Sequence, residues 1–406
     1  MKIKLTSLYL ISIFKNILND EIFKSFTDFI RIIDTEADFD EILKKYSDFI
    51  NKLYEKSTNP NFYRYILDLI ETDENIISKG CCKCKKENEN LINTAQYELS
   101  LIHNIVSISY EEIKDILKHN FNSMSELIDH LPKYEMDGIK EFKINEIIEK
   151  YNKNGYGIFA CYNAFKLDKN GEIKEIEYVD EITFADLKNY EYQQGVIKQN
   201  TLAFLNDKTA NNILLYGDRG CGKSSTVKAL INEFNDYNLK IIQVFKESII
   251  NLPELFEKIR NLPLKFIIFA DDLSFNEDDK DFSSAKAIIE GSLSNCPKNA
   301  IIYATSNRMH LVKESFSARK GDEVHYNDTI DETVSLSDRF GIMLTFSSLT
   351  KNEYLDIAHQ IANDCCVEVN DKFDREAMMF SMQKGIMTPR IARQFINYYI
   401  SNYEVM

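Results

Sequence analysis

Hydrophobic positions in the first 150 residues recur at spacings of three and four. Phe39, Ile42, Leu43, Tyr46, Phe49, Ile50 and Leu53 form one series, and Ile22, Phe23, Phe26 and Phe29 another. That period puts an apolar stripe on each of a succession of helices. Ser109 followed by Glu112, and Ser123 followed by Glu126, predict helix starts. A hydroxyl and a carboxylate three residues apart satisfy each other's free N–H groups there. The opening MKIKLTSLYLISIFKN carries two lysines before an apolar stretch, as a secretory leader does. No small-residue cleavage site follows and the helical spacing runs on to Phe29, so an N-terminal amphipathic helix is predicted instead. Residues 1–154 read as an all-helical accessory domain with no enzyme-like cluster.

The pattern changes near residue 155. Segments 156–165 and 172–179 predict a small strand pair at the entry to a second domain. From about 183 to 347, apolar runs at 213–216, 240–245, 266–270, 301–305 and 342–346 alternate with helix-length stretches. Strands separated by helices require crossover connections, and hence a parallel sheet covered on both faces. Beyond 348 the pattern is helical only, with Pro389 suited to the first turn of the last helix. The predicted fold class is α/β. A parallel-sheet core over 155–347 carries a C-terminal helical lid over 348–406 and follows the helical N-terminal domain.

Length and composition narrow this picture. The 406 residues suit two or three domains, and 44% hydrophobic with 28% charged residues excludes wholesale disorder. A net charge of −15 argues against a general nucleic-acid coat or a polybasic membrane binder, while leaving room for a local basic groove. No stretch reaches the roughly 18 uninterrupted apolar residues of a membrane span. The eight cysteines are scattered, and one, Cys221, falls inside a phosphate-binding motif that a disulfide would obstruct. A reducing cytoplasm is therefore expected.

The motif is Gly217-Asp218-Arg219-Gly220-Cys221-Gly222-Lys223-Ser224, followed by Ser225, between an apolar strand and a helix. It has the form G-x-x-x-x-G-K-[ST], the Walker A or P-loop pattern. Glycines let successive N–H groups turn toward phosphate oxygens, and the helix N-terminus adds partial positive charge. Only 13 glycines occur in the chain, and three of them lie within these six residues from Gly217 to Gly222. Lys223 is expected to reach the β- and γ-phosphates of ATP, and the Ser224 hydroxyl to ligate Mg²⁺. Such a loop needs an acidic partner at the end of a neighbouring strand. KFIIFADDLSF supplies Asp271 for Mg²⁺, partly through water, and Asp272 beside the attacking water. Many motor ATPases have Glu at the second position. The shorter Asp implies catalysis through an extra water, or slow turnover.

Further motifs resemble those of AAA+ ATPases. Asn307, in Ala304-Thr305-Ser306-Asn307-Arg308 after a strand, is similar to the sensor-1 residue that meets the γ-phosphate or its attacking water. Ser335-Leu336-Ser337-Asp338-Arg339-Phe340-Gly341 resembles the box carrying the arginine finger, especially that of bacterial Holliday-junction branch-migration motors. Thr388-Pro389-Arg390-Ile391-Ala392 looks like the sensor-2 helix start, and Thr183-Phe184-Ala185-Asp186-Leu187 like the segment near adenine. Taken together, GDRGCGKSS, FADDLSF, ATSNR, SLSDRFG and TPRIARQF resemble the bacterial AAA+ family known as domain of unknown function 815, over roughly residues 155–402. That resemblance implies ATP binding and an AAA+ fold, with Asn307, Arg339 and Arg390 acting on the phosphates. A finger acting in trans implies a homo-oligomer with active sites shared between subunits.

Other features have simpler explanations. Cys81, Cys82 and Cys84 invite a zinc reading but lack a second cysteine pair, and a surface loop between helices accounts for them. The acidic run 276–281 lacks the alternation of a calcium loop. The charged segment 313–333 is either a subunit-interface or substrate loop or a plain solvated one. Cys365 and Cys366 read as packing. Three functions compete: an oligomeric ATPase remodelling a protein or nucleic-acid client, a slow nucleotide-dependent switch or loader working through the helical domain, and a small-molecule kinase. The last is weakest, since a sensor asparagine and a helical lid are not kinase requirements.

Overall fold

The computed structural model describes residues 5–33, 35, 37–56, 60–82, 88–136, 138–273, 275–276, 291, 296–308, 312–313 and 340–403. Two compact units result, Met1–Cys161 and Tyr162–Met406.

The first unit is helical. Helices Glu21–Ile33, Phe39–Lys56, Phe62–Thr72, Glu89–Val106, Tyr110–Asn120 and Ile144–Asn154 enclose an apolar core. At its centre Phe26, Phe49 and Phe62 meet with ring centroids 4.6–5.2 Å apart, and Tyr134 stands edge-on to Phe49 at 5.6 Å. Each buried aromatic ring of this kind contributes about 1.5–3 kcal/mol relative to exposure. The capping box at Ser109 and Glu112 forms. The one expected at Ser123 and Glu126 does not: a 3₁₀ turn, Asn122–Met124, delays the helix to Ser125–Asp129, and Met124 takes the cap position.

The N-terminus also departs from the single amphipathic helix expected. It is a 3₁₀ turn, Leu5–Leu10, then helices Lys15–Asn19 and Glu21–Ile33. Two carboxylates make the breaks. Glu98, 1% exposed, accepts from the backbone N–H groups of Ser12, Ile13 and Phe14 at 2.9–3.2 Å and from the Ser12 hydroxyl at 2.7 Å. Asp20 accepts from Ile22 and Phe23 and so opens a new helix.

The second unit is built on a parallel sheet. Its strands are β1 (Ala164–Leu167), β2 (Ile173–Glu175), β3 (Ile213–Gly217), β4 (Leu239–Val244), β5 (Lys265–Ala270), β7 (Ala300–Ser306) and β9 (Ile342–Phe346). A short separate pair consists of β6 (Phe275–Asn276) and β8 (Val312–Lys313). The order across the large sheet is β2-β1-β4-β5-β7-β3-β9, parallel throughout except for β1 against β2. All seven residues of β7 are buried, as expected for a central strand covered on both faces. The middle of 156–165 forms the helix Ile158–Cys161, with only the end of the segment in β1. The hairpin does not stand alone, because β1 pairs with β4 and extends the sheet.

A lid of three helices, Lys351–Asp364, Asp371–Lys384 and Pro389–Tyr403, follows this parallel-sheet core. The lid has its own core of Tyr354, Ile361, Phe373, Ala377 and Phe395. Of the two cysteines expected to pack there, Cys365 does so in part. Cys366 is exposed, turned outward by a left-handed backbone at φ 58°. Among the described residues no helix is long and apolar enough to cross a membrane.

Parallel pairing brings the C-terminal ends of β3, β5 and β7 together. Ala270 lies opposite Ala304, and Leu215 opposite Thr305. The crevice beyond carboxyl ends of parallel strands is where open α/β sheets bind ligands.

Candidate functional site: a phosphate cradle at the ends of three strands

Gly217 ends β3 with φ 132°, and a Cβ there would lie 2.0 Å from the Phe346 carbonyl oxygen of β9. That approach lets Asp218 N–H donate to the same carbonyl at 2.9 Å, which turns the chain into the loop. Gly217→Ala is expected to cost about 1–3 kcal/mol, because backbone rather than a side-chain tip must move. Calorimetric melting of the variant checks this. Gly222, in the left-handed region at φ 88°, caps the helix Lys223–Glu233, whose first residues, Lys223 to Ser225, line a cavity.

Lys223 is 7% exposed. Its ammonium donates to the carbonyls of Gly217 (2.8 Å) and Asp218 (2.7 Å) and to Asn307 Oδ1 (3.3 Å). Burial holds its pKa below the ordinary lysine value. Ser224, one residue on, donates to Asp271 Oδ1 at 2.6 Å. Asp271 and Asp272 follow β5 directly, and Asn307 Nδ2 donates to Asp272 Oδ1 at 2.6 Å. Lys223, Asn307 and Asp272 thus form a continuous chain of hydrogen bonds.

These groups line a cavity of about 440 Å³, joined by Arg219, Gly220, Gly222, Ser225, Thr305 and Arg390. Arg390 comes from the first turn of the lid helix Pro389–Tyr403, and its backbone N–H reaches the Gly220 carbonyl at 3.3 Å. Among the described residues neither Arg219 nor Arg390 is ion-paired. A cation at a helix N-terminus opposes the helix dipole, a cost that a neighbouring anion would offset.

Three residues of the motif face elsewhere. Gly217 is spent on the turn. The Asp218 carboxylate accepts from the Ser348 hydroxyl at 2.5 Å and its N–H at 2.9 Å, and these bonds hold its pKa below the usual carboxylate value. Cys221 is buried with its thiol 3.6 Å from the Ser347 carbonyl, and burial raises its pKa. Tyr190 donates to that same carbonyl at 2.6 Å and lays its ring against Phe346. The loop is therefore tied to the 346–348 hinge as well as open to the cavity.

Arg339 lies outside the described residues, as do Cys84, the run 277–281 and the segment 314–333. Residues 183–187 form a 3₁₀ turn with a Thr183–Asp186 capping box and do not line the cavity. Two roles the sequence did not suggest are those of Thr305, which lines the cavity, and Ser348, which holds Asp218. For Thr305 the signal was available: it lies at the end of the same apolar strand that Asn307 follows.

The donor set fits Mg²⁺. A serine hydroxyl and a carboxylate, both hard oxygens 2.6 Å apart, sit at the foot of a cationic cavity. Among the described residues no group of three or more His, Cys, Asp and Glu could hold a metal.

Solved structures similar to this chain include the Thermotoga maritima RuvB Holliday junction branch migration motor, at 18% identity, 54% of this chain, 64% of that chain and TM-score 0.36. The FIGL-1 AAA domain in complex with ADP matches at 16% identity, 50% and 69% coverage and TM-score 0.34. Aeropyrum pernix ORC1 in complex with DNA matches at 14% identity, 53% and 59% coverage and TM-score 0.38. This chain thus spans less than two thirds of the length of the first and the third. None of the curated proteins matches it. Residues 160–403, more than half of the chain, match the family described as "Protein of unknown function (DUF815)", and the chain belongs to that family.

Proposed function

We propose that this chain is an AAA+ ATPase that binds ATP with Mg²⁺ in the cavity and hydrolyses it between the subunits of a homo-oligomer to remodel a protein or nucleic-acid client. One observation carries the reading. Arg219, Lys223 and Arg390 converge on a cavity whose floor joins the Ser224 hydroxyl to Asp271. Three cations around one cavity suit a triphosphate, and the hydroxyl–carboxylate pair suits its metal.

Ser224 and Asp271 would hold Mg²⁺, which when bound neutralises charge developing on the phosphate oxygens. Lys223 exchanges its carbonyl contacts for the β- and γ-phosphates. Asp272 accepts a proton from the attacking water, and Asn307 aims the Asp272 carboxylate. Arg390 contacts the phosphates from the lid, and Arg339 of a neighbouring subunit serves as the finger. Cys221 lies buried within the loop, where a disulfide would obstruct the motif, so a reducing cytoplasmic setting is part of the proposal. Nucleotide and client are the partners, and no membrane is involved.

A second reading has its own observation. Asp272 is already held by Asn307 at 2.6 Å and is one methylene shorter than Glu, which favours a slow switch or loader. Arg390→Ala separates a nucleotide-contacting lid from a merely adjacent one. Losing a charged hydrogen bond costs about 1.5–3 kcal/mol, so ATP affinity is expected to fall about 10–100-fold. Fluorescent-nucleotide titration reads this, and unchanged affinity removes Arg390 from the site.

A further inference from the structure

We propose that Thr305 is the positioning residue for both acidic groups, fixing Asp271 for the metal and Asp272 for the water. The inference rests on the ATPase reading and adds a residue to it. Thr305 is the penultimate residue of β7 and 1% exposed. Its hydroxyl is used twice: Oγ1 donates to Asp271 Oδ1 at 2.7 Å and accepts from Asp272 N–H at 2.9 Å. Its carbonyl accepts from Leu273 N–H at 2.7 Å. One residue thus ties down three consecutive positions after β5.

Asp272 needs such a tie. Its backbone is left-handed at φ 51°, a conformation that residues with a Cβ resist. From that backbone its carboxylate accepts from Asn307 Nδ2 at 2.6 Å. Asp271 Oδ1 takes two hydroxyl donors, Ser224 and Thr305, while among the described residues Oδ2 has no hydrogen-bond partner. Once Ser224 turns its oxygen to a metal, Thr305 is the hydroxyl still holding Asp271. The outer-shell donor then sets the angle of the inner carboxylate.

Thr305→Val keeps the branched shape and removes the hydroxyl, and Thr305→Ser keeps the hydroxyl. The test titrates Mg²⁺ against binding of a fluorescent ADP, with Lys223→Ala as blank and melting temperatures as a fold control. Phosphate release is followed in parallel. Outer-shell changes cost about 10–100-fold, so Thr305→Val is expected to need about that much more Mg²⁺ for half-maximal binding and to lose a similar factor in turnover. Nucleotide affinity measured with chelator present should be unchanged, and Thr305→Ser should restore both quantities. A folded Thr305→Val protein with wild-type Mg²⁺ dependence overturns the proposal alone. A wild-type protein that binds no nucleotide overturns it together with the ATPase reading.

Discussion

Lys223→Ala is expected to weaken nucleotide binding more than any other single change in the loop. The ammonium is buried and held by two carbonyls and the Asn307 amide oxygen, so the arriving phosphates meet a cation already in place. A charged hydrogen bond to phosphate is worth about 1.5–3 kcal/mol, and Lys223 would make more than one. A loss of about 10²–10⁴ in affinity follows. The substitution also frees the Gly217 and Asp218 carbonyls, so the loop itself loosens. Isothermal titration with ATP and Mg²⁺ measures the effect. Wild-type affinity in the variant would remove the phosphate loop from the account.

Arg339→Ala is expected to leave binding nearly intact and to cut hydrolysis by about 10³, the lower end of what an arginine finger contributes. The two effects divide because a finger meets charge that develops only as the phosphoryl group transfers. If the finger acts in trans, subunits lacking Arg339 retain good phosphate loops, and Lys223→Ala subunits retain good fingers. Mixed oligomers should then hydrolyse faster than the sum of the two variants assayed apart. A simple sum places the finger in the same subunit or elsewhere.

Much of this site was legible because strand and loop chemistry is local. Glycine spacing, the lysine and the paired aspartates mark a loop and an acidic strand end within a few residues, and alternating elements announce the sheet. Pro389 starts the last helix as its fixed φ suggests. What escaped depended on contacts distant in sequence. Glu98 breaks the N-terminal helix from 84–86 positions away. Ser348 holds Asp218 across 130 positions, and Thr305 meets Asp271 only because β5 and β7 are neighbours in register. The failed Ser123 box is a different case, since a 3₁₀ turn moved the helix start beyond the hydroxyl that would have capped it.

A cavity that turns over ATP only in an assembly must do so at a rate that depends on protein concentration. The most direct test is phosphate release per subunit across a wide range of protein concentration, with Lys223→Ala protein as the blank. A per-subunit rate that climbs with concentration and then saturates is the predicted result. A flat rate no higher than the blank would contradict it, even if ATP binds tightly, and would leave the slow switch as the function of the site.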